Sequence, residues 1–253
     1  MNFLGDVKTK DGVYILSEQS PVLEANYLAV REKEGRVLTD YFVSSLPHTP
    51  KDYSHSKEWK LRQASTKTVM GHLHKTKYKL ALDLGCGNGW FTHKLTQVAE
   101  QVIGMDMNKY ELTQANRVFG NECLNFCYAD VFSPKIPSNQ FDLITINAAV
   151  QYFLSPENLI HRLLDLLTPK GEIHILDSPF YSQEEVASAR ERTKEYFASL
   201  GSSEMARYYF HHTWQTLHSF NHKVLYDPNK LENKAKRKLG ISVSPFPWIV
   251  IGK

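Results

Sequence analysis

Three glycines at alternate positions, Gly85, Gly87 and Gly89, follow the apolar segment YKLALDL at residues 78–84. Glycine-rich turns after a strand often hold nucleotide-like ligands, because the missing side chains let a ligand approach the backbone. The dinucleotide pattern requires a glycine where this chain has Trp90, and the phosphate-binding loop requires a Gly-Lys-Ser/Thr that does not follow here. The turn therefore predicts a bulky, uncharged ligand lying across the end of a strand.

Two acidic residues occupy comparable positions further along the chain. Asp106 ends the apolar segment VIGMD, and Asp130 ends the segment FCYAD. From Tyr78 onwards such strands alternate with amphipathic segments such as ENLIHRLLDLL, which predicts an α/β fold with a largely parallel sheet. Because right-handed crossovers place the strand ends on one edge, the glycine turn and the two acids are predicted to face one ligand.

The segment DLGCGNG, residues 83–89, resembles the first motif of the class I S-adenosylmethionine-dependent methyltransferases. Asp106 and Asp130 follow at the spacing of that family, and LLTPKGEIHILD resembles its helix, tight turn and fifth strand. The resemblance implies a Rossmann-like three-layer sandwich with a mostly parallel seven-stranded sheet whose last strand is antiparallel. It also implies S-adenosyl-L-methionine as cofactor and S-adenosyl-L-homocysteine as product.

The resemblance assigns roles at the strand ends. Asp106 would accept hydrogen bonds from both ribose hydroxyls, Asp130 would bind the adenine amino group, and Val131 would pack near the base. Asp83 would lie near the methionine moiety or hold the glycine turn by hydrogen bonds, and both roles are compatible. The implied cofactor-binding set is Asp83, Gly85, Cys86, Gly87, Asn88, Gly89, Asp106, Met107, Asp130, Val131 and Asn147.

The segment after the fourth strand of that domain addresses the methyl acceptor. It reads Asn147-Ala148-Ala149-Val150 and lacks the Asn/Asp-Pro-Pro-aromatic motif of enzymes that methylate base amines. The stretch AAVQYF is similar to the corresponding loop of small-molecule methyltransferases, including the quinone-biosynthesis type. On this interpretation Gln151 and Tyr152 lie near the transferred methyl group, and nucleic-acid acceptors are disfavoured.

Residues 178–222 are rich in aromatic side chains and are predicted to form a helical cap. Such a cap would exclude water and bind a flat or apolar acceptor. His211 or His212 is the predicted general base, because imidazole titrates near neutral pH, and Tyr152 completes the candidate catalytic set. The histidine spacing H-H-x5-H-x3-H fits no zinc site, so no metal is predicted.

Composition adds weaker constraints. The 253 residues carry a net charge of +3 and are 42% hydrophobic, which suits a globular protein and neither requires nor excludes nucleic acid. No apolar run is long enough to cross a membrane. Three cysteines cannot all pair, which favours a reducing compartment and a cytoplasmic location.

The domain boundaries predicted are an N-terminal extension at 1–56 and a methyltransferase domain at 57–253. The extension would cover the cofactor, add to the acceptor pocket or form a homodimer contact. Tyr27 and Arg31 within it are interpreted as a solvated helix face. Two alternative functions stay open: an RNA (tRNA) methyltransferase, suggested by the basic run at 230–238, and a non-catalytic partner protein with the same fold.

Overall fold

The computed structural model describes residues 3–5 and 7–253, and its centre is a nine-stranded sheet. The strands are β1 Thr9–Lys10, β2 Val13–Ile15, β3 Tyr78–Leu84, β4 Ala99–Asp106, β5 Leu124–Tyr128, β6 Phe141–Asn147, β7 Leu167–Leu176, β8 His222–Tyr226 and β9 Trp248–Gly252. Their order across the sheet is β1-β2-β5-β4-β3-β6-β7-β9-β8.

The predicted seven-stranded sheet corresponds to β3–β9, and the prediction of an antiparallel last strand is confirmed by the pairing of β9 with β7 and β8. The count of seven was wrong for the whole sheet, because the hairpin β1–β2 adds two strands at one edge. Strand β2 pairs in parallel with β5, placing Tyr14 opposite Cys127. Strands of two and three residues are too short for alternation of apolar and polar residues to reveal them.

Eight helices surround the sheet in the described part of the chain. They are α1 Pro21–Lys33, α2 Asp40–Ser45, α3 Ser56–Leu73, α4 Trp90–Leu95, α5 Lys109–Phe119, α6 Pro156–Leu166, α7 Glu185–Ser199 and α8 Leu231–Lys238. Short 3₁₀ turns lie at Val150–Tyr152, Ser203–Tyr208 and Trp214–Leu217. No helix of residues 3–5 and 7–253 is long and apolar enough to cross a membrane.

Helices pack on both faces of the sheet, which confirms the predicted three-layer sandwich. Leu159 and Leu163 of α6 join Ile144 of β6 in one buried cluster. On the opposite face Leu112 of α5 joins Val102 of β4 in another. Burial of these apolar side chains drives the layers together.

The strand register brings the predicted site residues to one edge. In the parallel pairs β3–β4 and β4–β5, Asp83 lies opposite Gly104 and Asp106 lies opposite Tyr128. Helix α5 starts directly after β4, because the Asn108 side chain accepts a hydrogen bond from the Glu111 amide at 3.0 Å and caps the helix. The carboxyl ends of the strands and the start of α5 therefore meet at the same edge.

The N-terminal extension is fastened to this edge and to the cap. The Tyr128 hydroxyl at the end of β5 donates to Glu24 of α1 at 2.8 Å and accepts from the Ser20 amide at 3.0 Å. At the other end of α1, Lys33 donates to the Gly201 carbonyl at 3.1 Å. Helix α1 thus bridges the sheet edge and the cap that begins with α7.

Candidate functional site

The glycine turn after β3 has a left-handed backbone, with φ of 72° at Gly85, 51° at Gly87 and 77° at Gly89. An added Cβ at Gly85 would lie 2.4 Å from the Cβ of Ala149, and one at Gly89 would lie 2.7 Å from the Phe126 ring. The expectation that all three missing side chains make room for a ligand was therefore wrong. Gly85 and Gly89 are needed for backbone conformation and packing against protein atoms.

Asp83 is buried directly beneath this turn. Its carboxylate oxygens accept hydrogen bonds from the Thr92 hydroxyl at 2.7 Å and the Thr145 hydroxyl at 2.8 Å. Burial raises the pKa of Asp83 to about 7, although the two hydroxyl groups act in the opposite direction. Asp83 therefore ties α4 to β6 and supports the turn, which is one of the two roles considered from the sequence.

Asp106 is oriented by backbone amides at the end of β4. The Gly87 amide donates to its Oδ2 at 2.8 Å and the Asn108 amide donates to its Oδ1 at 2.9 Å. Burial, followed by the nearby Glu111 charge, raises the pKa of Asp106 to about 6. A carboxylate fixed in this way is a preorganised acceptor for the hydroxyl groups of a ligand.

Asp130 and Asn147 lie at the ends of the neighbouring strands. The Phe132 amide donates to Asp130 Oδ1 at 3.0 Å. The Oδ1 atom of Asn147 is buried and has no hydrogen-bond partner within the described part of the chain. Because buried polar atoms are nearly always paired, this oxygen indicates a ligand donor that completes the site.

One cavity of about 600 Å³ opens over these strand ends. All the predicted cofactor-binding residues except Gly89 line it, namely Asp83, Gly85, Cys86, Gly87, Asn88, Asp106, Met107, Asp130, Val131 and Asn147. The cavity continues beneath α1 and the cap, where its wall includes Tyr27, Tyr152, Tyr181, Tyr196, Phe197, Tyr208 and Tyr209. We call the first set the strand-end wall and the second set the tyrosine wall.

Tyr152, a predicted catalytic residue, lies in the tyrosine wall. Its ring makes edge contacts with Tyr27 at 6.0 Å and Tyr209 at 5.9 Å between centroids. Desolvation within the cavity raises the pKa of Tyr152 and of Tyr27 above the usual value, although the nearby Arg31 acts in the opposite direction. These phenols therefore stay protonated near neutral pH and act as hydrogen-bond donors.

His211 and His212 are buried but do not line the cavity. The His211 Nε2 atom lies 2.9 Å from the Thr193 hydroxyl, and His212 Nε2 lies 3.2 Å from the Val150 carbonyl oxygen. The backbone around them is pinned, since Tyr181 donates its amide to the His212 carbonyl at 2.9 Å. Neither imidazole faces the cavity, although His211 contacts Thr193, Tyr181 and Tyr209, which do line it. The role of either histidine as a general base stays a prediction.

The sequence interpretation allowed the N-terminal extension to cover the cofactor or add to the acceptor pocket, but it assigned no cavity residue within α1. Tyr27 and Arg31 line the cavity, so the expectation of a solvated helix face was wrong. Arg31 lies 5.8 Å from the Tyr27 ring centroid, and its Nη2 atom lies 3.6 Å from Glu111 Oε1. The spacing of Tyr27 and Arg31 on one helix face was visible, but nothing local in the sequence showed that α5 and the cap would cover that face.

The outer part of the cavity wall is an ion-pair cluster. Arg36 donates to both carboxylate oxygens of Glu58, and Arg62 donates to Glu58 at 3.0 Å. Burial raises the pKa of Glu58, but its two arginine neighbours outweigh it and bring the value to about 2. Among residues 3–5 and 7–253, no group of three or more His, Cys, Asp or Glu side chains is arranged to hold a metal ion.

Comparison with known proteins agrees with this geometry. Residues 82–175 match the family model described as a methyltransferase domain. Malonyl-[acyl-carrier protein] O-methyltransferase of Enterobacter lignolyticus is 28% identical over 111 residues, which is 44% of this chain and 43% of that protein. The chain spans about half the length of the curated relatives that it matches.

Solved structures show the same fold at low sequence identity. A chain from the complex of the Haloferax volcanii Trm112 methyltransferase activator with a methyltransferase has a TM-score of 0.55 and 12% identity, covering 85% of this chain and 98% of that one. The plantazolicin methyltransferase BpumL, solved with S-adenosylhomocysteine, has a TM-score of 0.52 and 16% identity, covering 92% and 97%.

The fold and the strand-end wall define the class I methyltransferase architecture. Together with the family match, they identify residues 82–175 as part of a class I S-adenosylmethionine-dependent methyltransferase domain. The family, the fold class and the cofactor type predicted from the sequence are thereby confirmed. The quinone-biosynthesis branch stays a prediction, as do the individual roles of the site residues.

Proposed function

We propose that this protein transfers a methyl group from S-adenosylmethionine to a small acceptor molecule with a flat or apolar face. The observation that supports this most directly is the continuity of the strand-end wall and the tyrosine wall around one cavity of about 600 Å³. Cavities of a few hundred to about 1,000 Å³ are typical of small-molecule sites. One such space accommodates a donor and an acceptor side by side.

The residues of the strand-end wall fit the cofactor. Asp106, held by two backbone amides, would accept hydrogen bonds from the ribose hydroxyls, and Asp130 would bind the adenine amino group. The orphaned Oδ1 of Asn147 would accept a hydrogen bond from the cofactor. Once bound, the cofactor supplies an activated methyl group on a good leaving group, and the protein supplies alignment and exclusion of water.

The tyrosine wall would orient the acceptor. Gln151 donates its Nε2–H to the Ala148 carbonyl at 2.6 Å, and its Oε1 atom is buried without a partner in the described residues. That oxygen would accept a hydrogen bond from an acceptor N–H or O–H and so fix the direction of the nucleophile. Because the nearby phenols stay protonated, the wall contributes positioning by hydrogen bonds and packing of rings.

An RNA acceptor receives less support. The basic residues of the run at 230–238 do not line the cavity, and Arg237 donates to the Pro228 carbonyl at 2.6 Å within its own segment. Binding of tRNA with a steep dependence on salt concentration would revive this alternative, because phosphate contacts release counterions.

Calorimetric titration with S-adenosylhomocysteine tests the proposal. Wild-type protein should bind, and Asp106→Asn should weaken binding by about 10- to 100-fold through loss of charge-assisted hydrogen bonds. Affinity should also fall below pH 6, because the pKa of about 6 marks protonation of the Asp106 carboxylate. Asp52→Asn, in an exposed turn, is the matched control and should bind like the wild type.

Two results would contradict the proposal. Wild-type protein that gives no binding heat at millimolar S-adenosylhomocysteine would reject cofactor use. Equal affinities of the Asp106→Asn variant and the wild type would reject the assigned role of Asp106.

A further inference from the structure

Arg31 is the one cavity-lining cation whose side chain makes no hydrogen bond in the described part of the chain. Its nearest carboxylates are Glu111, 3.6 Å from Nη2, and Glu34, 3.7 Å from Nη1. Both separations exceed hydrogen-bonding distance, and the Nε atom is buried with no partner. A guanidinium has five N–H donors, and it is unusual for a side chain that is only 23% exposed to use none of them.

The other arginines of the cavity wall are committed elsewhere. Arg36 and Arg62 share the Glu58 carboxylate through direct hydrogen bonds. Arg192 is exposed and donates to the Ser188 hydroxyl at 3.2 Å. Among these arginines, only Arg31 lines the cavity with none of its N–H groups hydrogen-bonded to the described residues.

Glu34 and Glu111 hold Arg31 in position without occupying its donors. The side chain of Arg31 retains 23% of its exposure, and that of Glu111 retains 9%. Burial lowers the pKa of Arg31, but Tyr27 and Glu111 raise it by more, so the guanidinium stays charged. The Tyr27 ring and the two carboxylates fix the guanidinium between the two walls of the cavity.

We propose that Arg31 is a carboxylate-binding residue, whose free N–H groups form a bidentate pair with a ligand carboxylate at the junction of the two walls. A guanidinium matches the two oxygens of a carboxylate in plane and spacing, which makes this the ligand group that best completes it. The carboxylate comes from the amino-acid end of the cofactor or from the acceptor. The inference rests on the proposed function, and it concerns a residue outside the matched segment 82–175.

Four probes distinguish the two sources. S-adenosylhomocysteine carries the carboxylate, its decarboxylated analogue lacks only that group, and 5′-methylthioadenosine lacks the whole amino-acid end. Benzoate, titrated into free protein and into protein saturated with S-adenosylhomocysteine, represents an acceptor carboxylate. Each is measured by calorimetry with wild type, Arg31→Met and Arg31→Lys.

If the cofactor supplies the carboxylate, Arg31→Met should weaken the binding of S-adenosylhomocysteine by about 10- to 100-fold. The affinity for the decarboxylated analogue should not change. If the acceptor supplies it, S-adenosylhomocysteine should be unaffected, and benzoate should bind the loaded wild type but not Arg31→Met. In either case Arg31→Lys should weaken binding less than Arg31→Met does, because lysine keeps the positive charge but lacks the planar guanidinium group.

Controls separate this inference from folding and from the proposed function. Unchanged binding of 5′-methylthioadenosine by Arg31→Met shows that the strand-end wall is intact. Lys60→Met removes an exposed cation of α3 that does not line the cavity and should change no affinity. Wild type that binds no adenosyl probe contradicts the proposed function, and the benzoate titration of free protein then decides the role of Arg31. Equal affinities of wild type and Arg31→Met for every carboxylate probe overturn the inference.

Discussion

The two walls of the cavity are built in different ways. The strand-end wall is fixed by the backbone: left-handed glycines, helix caps and amides that hold Asp106. The tyrosine wall is assembled from side chains of α1, α7, the turns around residues 150–152 and 203–209, and the segment between β7 and α7. These segments are far apart in sequence and meet through a small number of polar contacts such as Tyr196 with Glu34.

This difference predicts two kinds of response to mutation. Backbone elements at the centre of the sheet belong to the cooperative core, so damage to them should lower global stability. Contacts between α1 and the cap join partly exposed segments, so their loss should act through local opening. The following substitutions test that division, beginning with the largest expected effect.

Gly89→Ala should destabilise the fold by about 3 to 5 kcal/mol, combining left-handed strain with a clash in the core. The added Cβ would lie 2.7 Å from the Phe126 ring and 2.8 Å from the Ala115 Cβ. Urea denaturation measures the change. Gly35→Ala is the matched control, because Gly35 also has a positive φ of 66° but no atom within 4 Å of the added Cβ. It should cost about 1 kcal/mol, and equal losses at both positions would contradict the packing role of Gly89.

The buried Asp83 carboxyl should make stability depend on pH. Its folded pKa of about 7 lies above the unfolded value, so its stabilising effect is fully present below about pH 4. The effect is lost as pH rises through about 7, and the total change is about 2 to 4 kcal/mol. Asp83→Asn should flatten this part of the profile between pH 4 and 8 in urea denaturation. An unchanged difference between the wild-type and Asp83→Asn profiles at all pH values would show that Asp83 is already ionised when folded.

Tyr196→Phe should have the smallest global effect, below about 1 kcal/mol, because the lost hydrogen bond to Glu34 is largely exposed. Its effect should instead appear as several-fold faster amide hydrogen exchange in α1, while strands β3–β6 keep their protection. Tyr208→Phe is the control, since Tyr208 is exposed to a similar extent and its hydroxyl has no hydrogen-bond partner among the described residues. A loss of global stability as large as that expected for Gly89→Ala would contradict the proposed difference between the two walls.

The same division explains what the sequence could predict. Asp106 and Asp130 were located correctly at the cavity because each follows an apolar strand, and strand ends in a parallel sheet share one edge. The apolar runs of β3 and β6 likewise predicted a buried parallel sheet. These sequence signals are local, and the rule that parallel strands end at one edge of the sheet places the residues they mark in one site.

The remaining features depend on contacts between distant segments. The side of α1 that bears Arg31 looks polar in isolation, and only Glu111 of α5 reveals that it is enclosed. His211 and His212 were attractive as bases by residue type, but neither side chain lines the cavity in the folded chain. Hairpin β1–β2 is too short to have a periodic signal.

The Tyr128 hydroxyl, which joins the end of β5 to Glu24 and Ser20, lies where the sheet edge meets the N-terminal extension. At this junction the strand-end wall, which is fixed by the backbone, meets the tyrosine wall, which is made largely from segments before and after it in the chain. Under the proposed function, changes in the outer segments would alter the acceptor and leave the methyl-donor part of the cavity unchanged. Sequence differences that change the acceptor would then lie in α1 and the cap, and those that change methyl-donor binding would lie in the turns at the strand ends.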